Sequence, residues 1–363
     1  MKMKTFALTL LAGSLLATAA QAQVNIYISG AVAFRDSAYK AVRNLYGANL
    51  ANQNPADPAG SPVGSALKVT WTGTIPSLFG GQTVNVFAFY NGAVAGVQNL
   101  TQNQLVSFLA NATPGDTNLV NVQADLAFSS VYQNSTSFTT PTLADAKFGV
   151  TPVVWVKSVN SPAGLTNITT QQIKTLAANG ALPISYFTGD TSTNGTNLVH
   201  FISRDPTAGQ RVIAFKDSGF TGNPLSYVYT NGAWSSTVSP NGLSSTGPIV
   251  TQLNSFGPAI SYLTLVDAIS VNGGANILSY NGTLPFAGPF SGTSNNFTPV
   301  ITGEYSQWGY EHILNRTTAS ANIVSFRNAL ITEIGNVLTT SFSSVKLNQV
   351  LVTRNADGGP ISP

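Results

Sequence analysis

The residues of this sequence whose types and spacing could do chemistry lie between positions 202 and 215. An apolar run ends there at Ile202, a polar turn follows, and Gly209 stands where a helix is predicted to begin, with Arg204 and Arg211 flanking the turn. The N–H groups of a first helical turn attract anions, and a guanidinium offers a permanently charged fork to phosphate or carboxylate. The stretch predicts an anion site; a strand–turn–helix junction that binds nothing is the alternative.

The first residues of the chain predict an export signal. Lys2 and Lys4 form a positive start, residues 6–20 are apolar, and Ala20-Gln21-Ala22 is typical of a cleavage site. The apolar stretch is shorter than a membrane anchor needs. The sequence contains no cysteine, which excludes disulfides, thiolate metal sites and a lipid-modified cysteine anchor. We therefore expect a periplasmic or secreted protein without a lipid anchor.

The composition argues against several classes of protein. Charged residues are 8% of the chain, and removal of the signal leaves 14 basic against 13 acidic residues, which does not suggest a nucleic-acid-binding surface. No nucleotide-binding, hydrolase or zinc-protease motif appears, and His200 and His312 are too far apart in sequence to indicate a shared metal site. We expect a monomer with no catalysis, no metal and no cofactor. The 363 residues exceed the size of one core and predict two domains.

The elements that must position the anion site follow an alternating pattern. Periodicity predicts the strands at 24–29, 69–74, 84–90, 124–129, 152–157, 199–202 and 259–266, and the helices at 37–46, 97–109, 167–178 and 319–338. Thr169 is predicted to cap the third of these helices. A hairpin is expected around Asn231-Gly232. Strands that alternate with helices indicate an α/β protein.

Six short stretches follow one another in a characteristic order: Ser29 to Phe34, Asn91 to Val97, Asp125 to Ser130, Leu165 to Ile173, Arg204 to Gln210 and Ile260 to Tyr262. Together they resemble the motifs of the periplasmic phosphate-binding-protein family, the type II substrate-binding fold of ATP-driven importers. The resemblance covers most of the chain after the signal. It implies two α/β lobes joined by two crossovers, a small anion held where the lobes close, and an ABC importer permease as partner.

The resemblance also implies a set of anion-binding residues. Phe34, Arg204 and Gly209 match the family's pattern, and Arg211 falls where many members carry an arginine. Ser130 and Gln210 occupy ligand positions but differ from the family's residues. The family's hydroxyl and carboxylate groups are replaced at Ala33, Ala93, Ser130, Ala208 and Gln210. Since a hydrogen bond to a charged ligand contributes about 1.5–3 kcal/mol, these replacements predict weaker phosphate binding.

These observations lead to one prediction and one alternative. Residues 23–148 and 297–363 are expected to form lobe one and residues 149–296 lobe two, after a signal peptide at 1–22. The chain is predicted to be an exported solute-binding protein that holds phosphate or a related oxyanion between the lobes. The alternative is a degenerate binding fold that serves as a secreted structural or surface-interaction protein. Tyr305, Trp308 and Tyr310 are interpreted as hinge or core packing, with lining of the cleft as the alternative.

Overall fold

A computed structural model describes residues 23–57, 66–236, 242–338, 341 and 343–363. The predicted signal peptide lies outside these residues. Within the described ranges no helix has both the length and the apolar character needed to cross a bilayer.

The strands, in chain order, are β1 Val24–Gly30, β2 Leu50–Asn54, β3 Lys68–Thr74, β4 Thr83–Phe89, β5 Leu105–Leu109, β6 Leu119–Gln123, β7 Leu126–Ser129, β8 Leu143–Lys157, β9 Asn167–Ile168, β10 Ala181–Pro183, β11 Leu198–Phe201, β12 Tyr227–Thr230, β13 Ala233–Ser236, β14 Ala259–Thr264, β15 Ile277–Tyr280, β16 Trp308–Arg316 and β17 Val345–Lys346. The helices are α1 Arg35–Tyr46, α2 Ala93–Thr101, α3 Thr170–Asn179, α4 Ser185–Thr188, α5 Gly209–Ser218, α6 Thr246–Ser255, α7 Leu265–Ala268, α8 Thr298–Ile301 and α9 Ala321–Val337.

One large mixed sheet runs through the molecule in the order β10-β11-β14-β8-β16-β7-β1-β4-β3-β2. The chain passes from lobe one to lobe two along β8, which pairs with β16 from Leu143 to Pro152 and with β14 from Val153 to Lys157. It returns along β16, which pairs with both β7 and β8. These two strands are the crossovers of an α/β two-lobe type II fold, as predicted. The proposed boundary between residues 148 and 149 falls inside β8.

Amphipathic helices cover the sheet where the sequence pattern predicts them. The stripe of α1 that includes Tyr39, Val42 and Tyr46 is buried, because burial of its apolar side chains against the sheet is favourable. In front of α3, the Thr169 hydroxyl accepts the N–H of Gln172, whose side chain accepts the Thr169 N–H, which completes a capping box. The predicted Thr169 cap is therefore confirmed.

Three predicted elements differ from the structure. The strand predicted at 152–157 already begins at Leu143. The helix expected at 97–109 is wrong, because α2 already ends at Thr101 and Asn103 adopts a left-handed φ of 53° that turns the chain. Residues Leu105–Leu109 then form β5, in which Val106 and Phe108 are buried and alternate with more exposed neighbours. The strand predicted at 259–266 stops at Thr264, where α7 begins.

Candidate functional site

Three helix N-termini lie near the junction of the two lobes, and those of α2 and α5 are in contact. Helix α1 begins after Phe34, α2 after Gly92 and α5 after Ala208, and none of the three has a side-chain cap. The Gly92 N–H donates to the Gly30 carbonyl at 2.9 Å, which ties the start of α2 to the loop before α1. Uncapped first turns present N–H groups and the positive end of the helix dipole. The arrangement favours negative charge at this point.

The lobes touch each other where α5 begins. A Cβ atom placed on Gly209 would lie 2.0 Å from the Ser130 hydroxyl oxygen and 2.9 Å from the Ala93 Cβ. The Val94 N–H, in the first turn of α2, donates to the Thr207 carbonyl at 3.1 Å. A peptide carbonyl of lobe two therefore already satisfies one donor of lobe one. Only glycine fits at position 209 while the lobes keep this distance.

Arg204, a predicted anion-binding residue, is buried, and its guanidinium donates hydrogen bonds within its own lobe. Its Nε donates to the Leu243 carbonyl at 3.1 Å, one terminal nitrogen to the Thr246 hydroxyl at 2.8 Å, and the other to the Ser244 carbonyl at 3.2 Å. Burial lowers the pKa of the guanidinium, and the nearby Asp205 opposes that shift. A guanidinium has five N–H groups, so these three bonds fix its orientation and use only part of its capacity.

Arg211 and Gln210, in the first turn of α5, pack beside Arg204. A terminal nitrogen of Arg211 donates to the Arg204 carbonyl at 2.7 Å, and the Arg211 guanidinium lies 5.5 Å from the Phe215 ring centre. The Gln210 amide lies 3.5 Å from the Thr246 hydroxyl that also accepts from Arg204. Both side chains are buried. These contacts support Arg204 and its turn.

Phe34 contributes its side chain to the core. Its ring lies 5.1 Å from that of Phe148 in an edge-to-face arrangement, and its carbonyl accepts the Ala38 N–H at 2.8 Å as α1 begins. The structure thus brings Ser130, Gly209 and the Arg204–Arg211 turn together, and Phe34 lies at the start of the neighbouring helix α1.

Solved structures with this architecture include the following two. An ABC-type phosphate transport receptor from Vibrio cholerae aligns with a TM-score of 0.53 at 14% identity, over 88% of this chain and 99% of that one. A proposed phosphate ABC transporter substrate-binding protein from Clostridium perfringens, with bound phosphate, aligns with a TM-score of 0.54 at 11% identity, over 89% of this chain and 99% of that one. The chain has the substrate-binding-protein fold. No protein-family model and no curated protein matches the sequence.

The junction of the two lobes contains charged residues that the sequence analysis missed. Arg35, the first residue of α1, interacts electrostatically with Asp267 of α7 in the opposite lobe. The Asp267 carboxyl accepts the Thr264 hydroxyl at 2.8 Å, and burial raises its pKa while Arg35 and Arg204 lower it. Arg35 directly follows Phe34, which matches the family's pattern, so its place in the sequence could have indicated that it belongs to the site. Asp267 carries no sequence signal, because only the fold places it opposite α1.

A cavity of about 320 Å³ opens beside these charges. Asp36 and Ser37 line it from the first turn of α1, Val266 lines it from α7, and Ser341 and Ser343 line it from the chain after α9. Most of its walls come from α1 and from the chain at and after the end of α9, and Val266 is the lining residue from α7.

The aromatic and histidine residues have structural contacts. Tyr305, Trp308 and Tyr310 are buried, which confirms their interpretation as packing residues. His312 is buried with its Nδ1 2.8 Å from an Asp145 carboxylate oxygen, whereas the His200 ring stacks on Trp234 at 4.5 Å. Across the part of the chain that the structure describes, no group of three or more histidine or acidic residues could hold a metal ion.

Proposed function

We propose that the chain is an exported solute-binding protein that holds a small oxyanion between its lobes, with phosphate as the first ligand to test. The observation that carries the proposal is that three uncapped helix N-termini from both lobes, those of α1, α2 and α5, lie near the lobe junction beside Arg35 and Arg204. Backbone donors of this kind bind anions without hydroxyl side chains. They offer a physical reason why the replacements at Ala33 and Ala93 need not abolish binding.

The proposed ligand set has two kinds of member. Arg204, held by its three protein bonds, supplies a fixed charge, and Arg35 supplies a second charge from the opposite lobe. The backbone around Phe34 and Gly209 supplies N–H donors, with Ser130 as an additional hydroxyl. Arg211 and Gln210 act through Arg204, since Arg211 binds its carbonyl and Gln210 shares its Thr246 partner.

Ligand entry requires the lobes to separate. The contact of Gly209 with Ser130 and the bond from Val94 to Thr207 close the space between α2 and α5. On opening, an anion can replace the Thr207 carbonyl as the acceptor of the Val94 N–H. Closure around a ligand by hinge motion is the usual behaviour of two-lobe binding proteins. The strands β8 and β16 are the elements about which such a motion takes place.

Transport is the process that this proposal implies. The Vibrio cholerae and Clostridium perfringens structures that share this fold are described as phosphate transport proteins of ABC systems. We infer that this chain, once exported by the predicted signal at residues 1–22, delivers its solute to an ABC importer permease from the periplasm or the cell exterior.

Thermal unfolding with and without phosphate tests the proposal. A ligand at 100 times its Kd stabilises the folded state by about 2.7 kcal/mol, so wild type and the control Arg327→Gln, whose arginine lies on α9, should unfold at higher temperature in phosphate. Arg35→Gln and Arg204→Gln should lose most of that shift, since each removes charge-assisted bonds that correspond to about 10- to 100-fold in Kd. Arg35→Gln keeps the test valid if Arg204→Gln fails to fold. Equal shifts in all four proteins would contradict the proposed site.

A second function is favoured by the closed contact at Gly209. The Thr207 carbonyl already occupies one anion donor, and Asp267 already balances part of the charge of Arg35 and Arg204. A permanently closed fold of this kind would act as a secreted structural or surface-interaction protein. No shift of the unfolding temperature with millimolar phosphate or sulfate would favour this second function.

A further inference from the structure

Glu311, in the crossover strand β16, has no explained role in the fold. Its side chain is fully buried, and within the described residues neither carboxyl oxygen has a hydrogen-bond partner. Burial of a polar group without a hydrogen bond costs free energy, and native structures contain few such groups. A ligand that bonds to this carboxyl would remove that cost.

The strand geometry shows which way the carboxyl faces. Tyr310 and His312 both pack their rings on Tyr132, at 6.0 and 4.8 Å between ring centres. Since alternate residues of a strand point to opposite faces, Glu311 lies on the other face, together with Gly309. A Cβ atom on Gly309 would lie 2.6 Å from the Ser130 carbonyl oxygen. Glu311 therefore shares a face with the Ser130 segment of the proposed anion site.

The cross-strand partner of Glu311 leads to the same region. Glu311 pairs with Gly149 of β8 and is the last residue before a register shift between Glu311 and His312; up to that shift, paired residues of neighbouring strands carry their side chains on the same face. A Cβ atom on Gly149 would lie 3.3 Å from the tip of the Phe34 ring. The space that a Cβ atom would take at Gly149 and Gly309 is already filled, in part by Phe34 and by the Ser130 carbonyl, so these segments pack closely on this face of β16. Glu311 thus lies between the Phe34 loop and the Ser130 loop, two of the segments that form the proposed site.

The protonation state decides what the carboxyl can offer. Burial raises the pKa of Glu311 well above its ordinary value of 4.5, and the negative charge of Asp357 raises it further. A protonated carboxylic acid carries an O–H donor and does not repel an anion, whereas a carboxylate has only acceptors. The neutral acid complements an oxyanion, whose oxygens accept hydrogen bonds.

We propose that Glu311 is a ligand-contacting residue of the cleft, whose O–H donates a hydrogen bond to an oxygen of the bound oxyanion. This inference rests on the proposed function. It adds a donor side chain from the crossover strand to the backbone donors and the two arginines.

Calorimetric titration of phosphate and sulfate into three variants tests the inference. Glu311→Gln stays neutral and keeps an N–H donor, so its Kd should remain within about threefold of wild type. Glu311→Leu lacks a donor and should bind phosphate about 10- to 100-fold more weakly. Glu304→Leu, the same substitution at an exposed acid, is the control and should bind as wild type does. Wild-type affinity in Glu311→Leu would overturn the inference.

Infrared spectroscopy of the wild-type protein gives a measurement that does not depend on the folding of a variant. The difference spectrum of wild type minus Glu311→Gln should show one carbonyl stretch of a protonated carboxyl, separate from any band of the buried Asp267 and Asp357, and that band should shift when phosphate saturates the protein. Phosphate binding without a shift of that band would overturn the role of Glu311 and leave the proposed function standing. No binding of phosphate or sulfate to wild type would overturn both.

Discussion

The closed contact between the lobes predicts the effect of one methyl group. In Gly209→Ala the new Cβ would lie 2.0 Å from the Ser130 hydroxyl oxygen and 2.9 Å from the Ala93 Cβ, whereas ordinary contact begins at 3.4 Å. Rotation of the Ser130 hydroxyl relieves the first contact but leaves the second. Overpacking of this kind costs about 1–3 kcal/mol. We expect Gly209→Ala to lower the free energy of unfolding by about 1–2 kcal/mol and to move the lobes apart.

Gly335→Ala is the matched control, because Gly335 also lies in a helix and its added Cβ would meet only the flexible Lys346 side chain, at an ordinary contact distance of 3.7 Å. It should be neutral or slightly stabilising, since alanine favours helix over glycine. Ser130→Gly in the Gly209→Ala background should restore part of the loss, with a coupling energy of about 0.5–2 kcal/mol.

Urea unfolding measures these differences, and an interlobe distance measures the opening. The chain has no cysteine of its own, so spin labels on cysteines introduced at the exposed Gln171 of α3 and Thr332 of α9 report one distance between the lobes. That distance should be longer in Gly209→Ala than in Gly335→Ala. Equal distances and equal stabilities would refute the claim that the lobes meet at Gly209.

Three further predictions concern stability. Arg354→Ala should cost about 3–5 kcal/mol in urea unfolding, because the buried guanidinium donates to the Trp308 and Ser306 carbonyls at 2.8 and 2.7 Å and pairs with Asp217 at 3.6 Å; a cost below 1 kcal/mol would contradict this. Glu311 binds its proton more tightly in the folded state than in the unfolded state, because burial raises its pKa. The free energy of unfolding of wild type should therefore fall as the pH rises from about 4.5 towards the raised pKa, by at most about 1.4 kcal/mol per pH unit. Glu311→Gln should lack that slope, and identical pH profiles would contradict the burial argument. Thr169→Ala should lower the unfolding free energy by about 1 kcal/mol through loss of the α3 cap, whereas an unchanged midpoint would show that the cap is not needed.

Local patterns predict the elements of this fold better than they predict the contacts between the lobes. The stripe of α1 and the Thr169 cap depend on residues within one or two turns, so the sequence is sufficient for both. The error at Leu105–Leu109 arose because its apolar residues fit a helix extended from α2, and the left-handed turn at Asn103 is set by a conformation that asparagine adopts only in some contexts.

The site is predictable only where its residues are close in sequence. Arg204, Gly209 and Arg211 lie within one turn-helix segment, and the structure keeps them together. The approach of Ser130 to Gly209, and of Asp267 to Arg35, joins segments far apart in the chain and depends on how the lobes close. Glu311 looks like an ordinary strand residue, because its burial and its lack of partners follow from the pairing of β16 with β7 and β8.

Calorimetric titration of phosphate into the wild-type protein, stripped of ligand and in low-salt buffer, tests the central claim most directly. The anion site near the N-termini of α1, α2 and α5 predicts saturable heat with one phosphate per chain. Binding should be weakened by Arg204→Gln and by Arg35→Gln, and it should be accompanied by a change in the distance between labels on Gln171 and Thr332. The absence of heat with either phosphate or sulfate at millimolar concentration would contradict the claim and leave a closed fold without a solute.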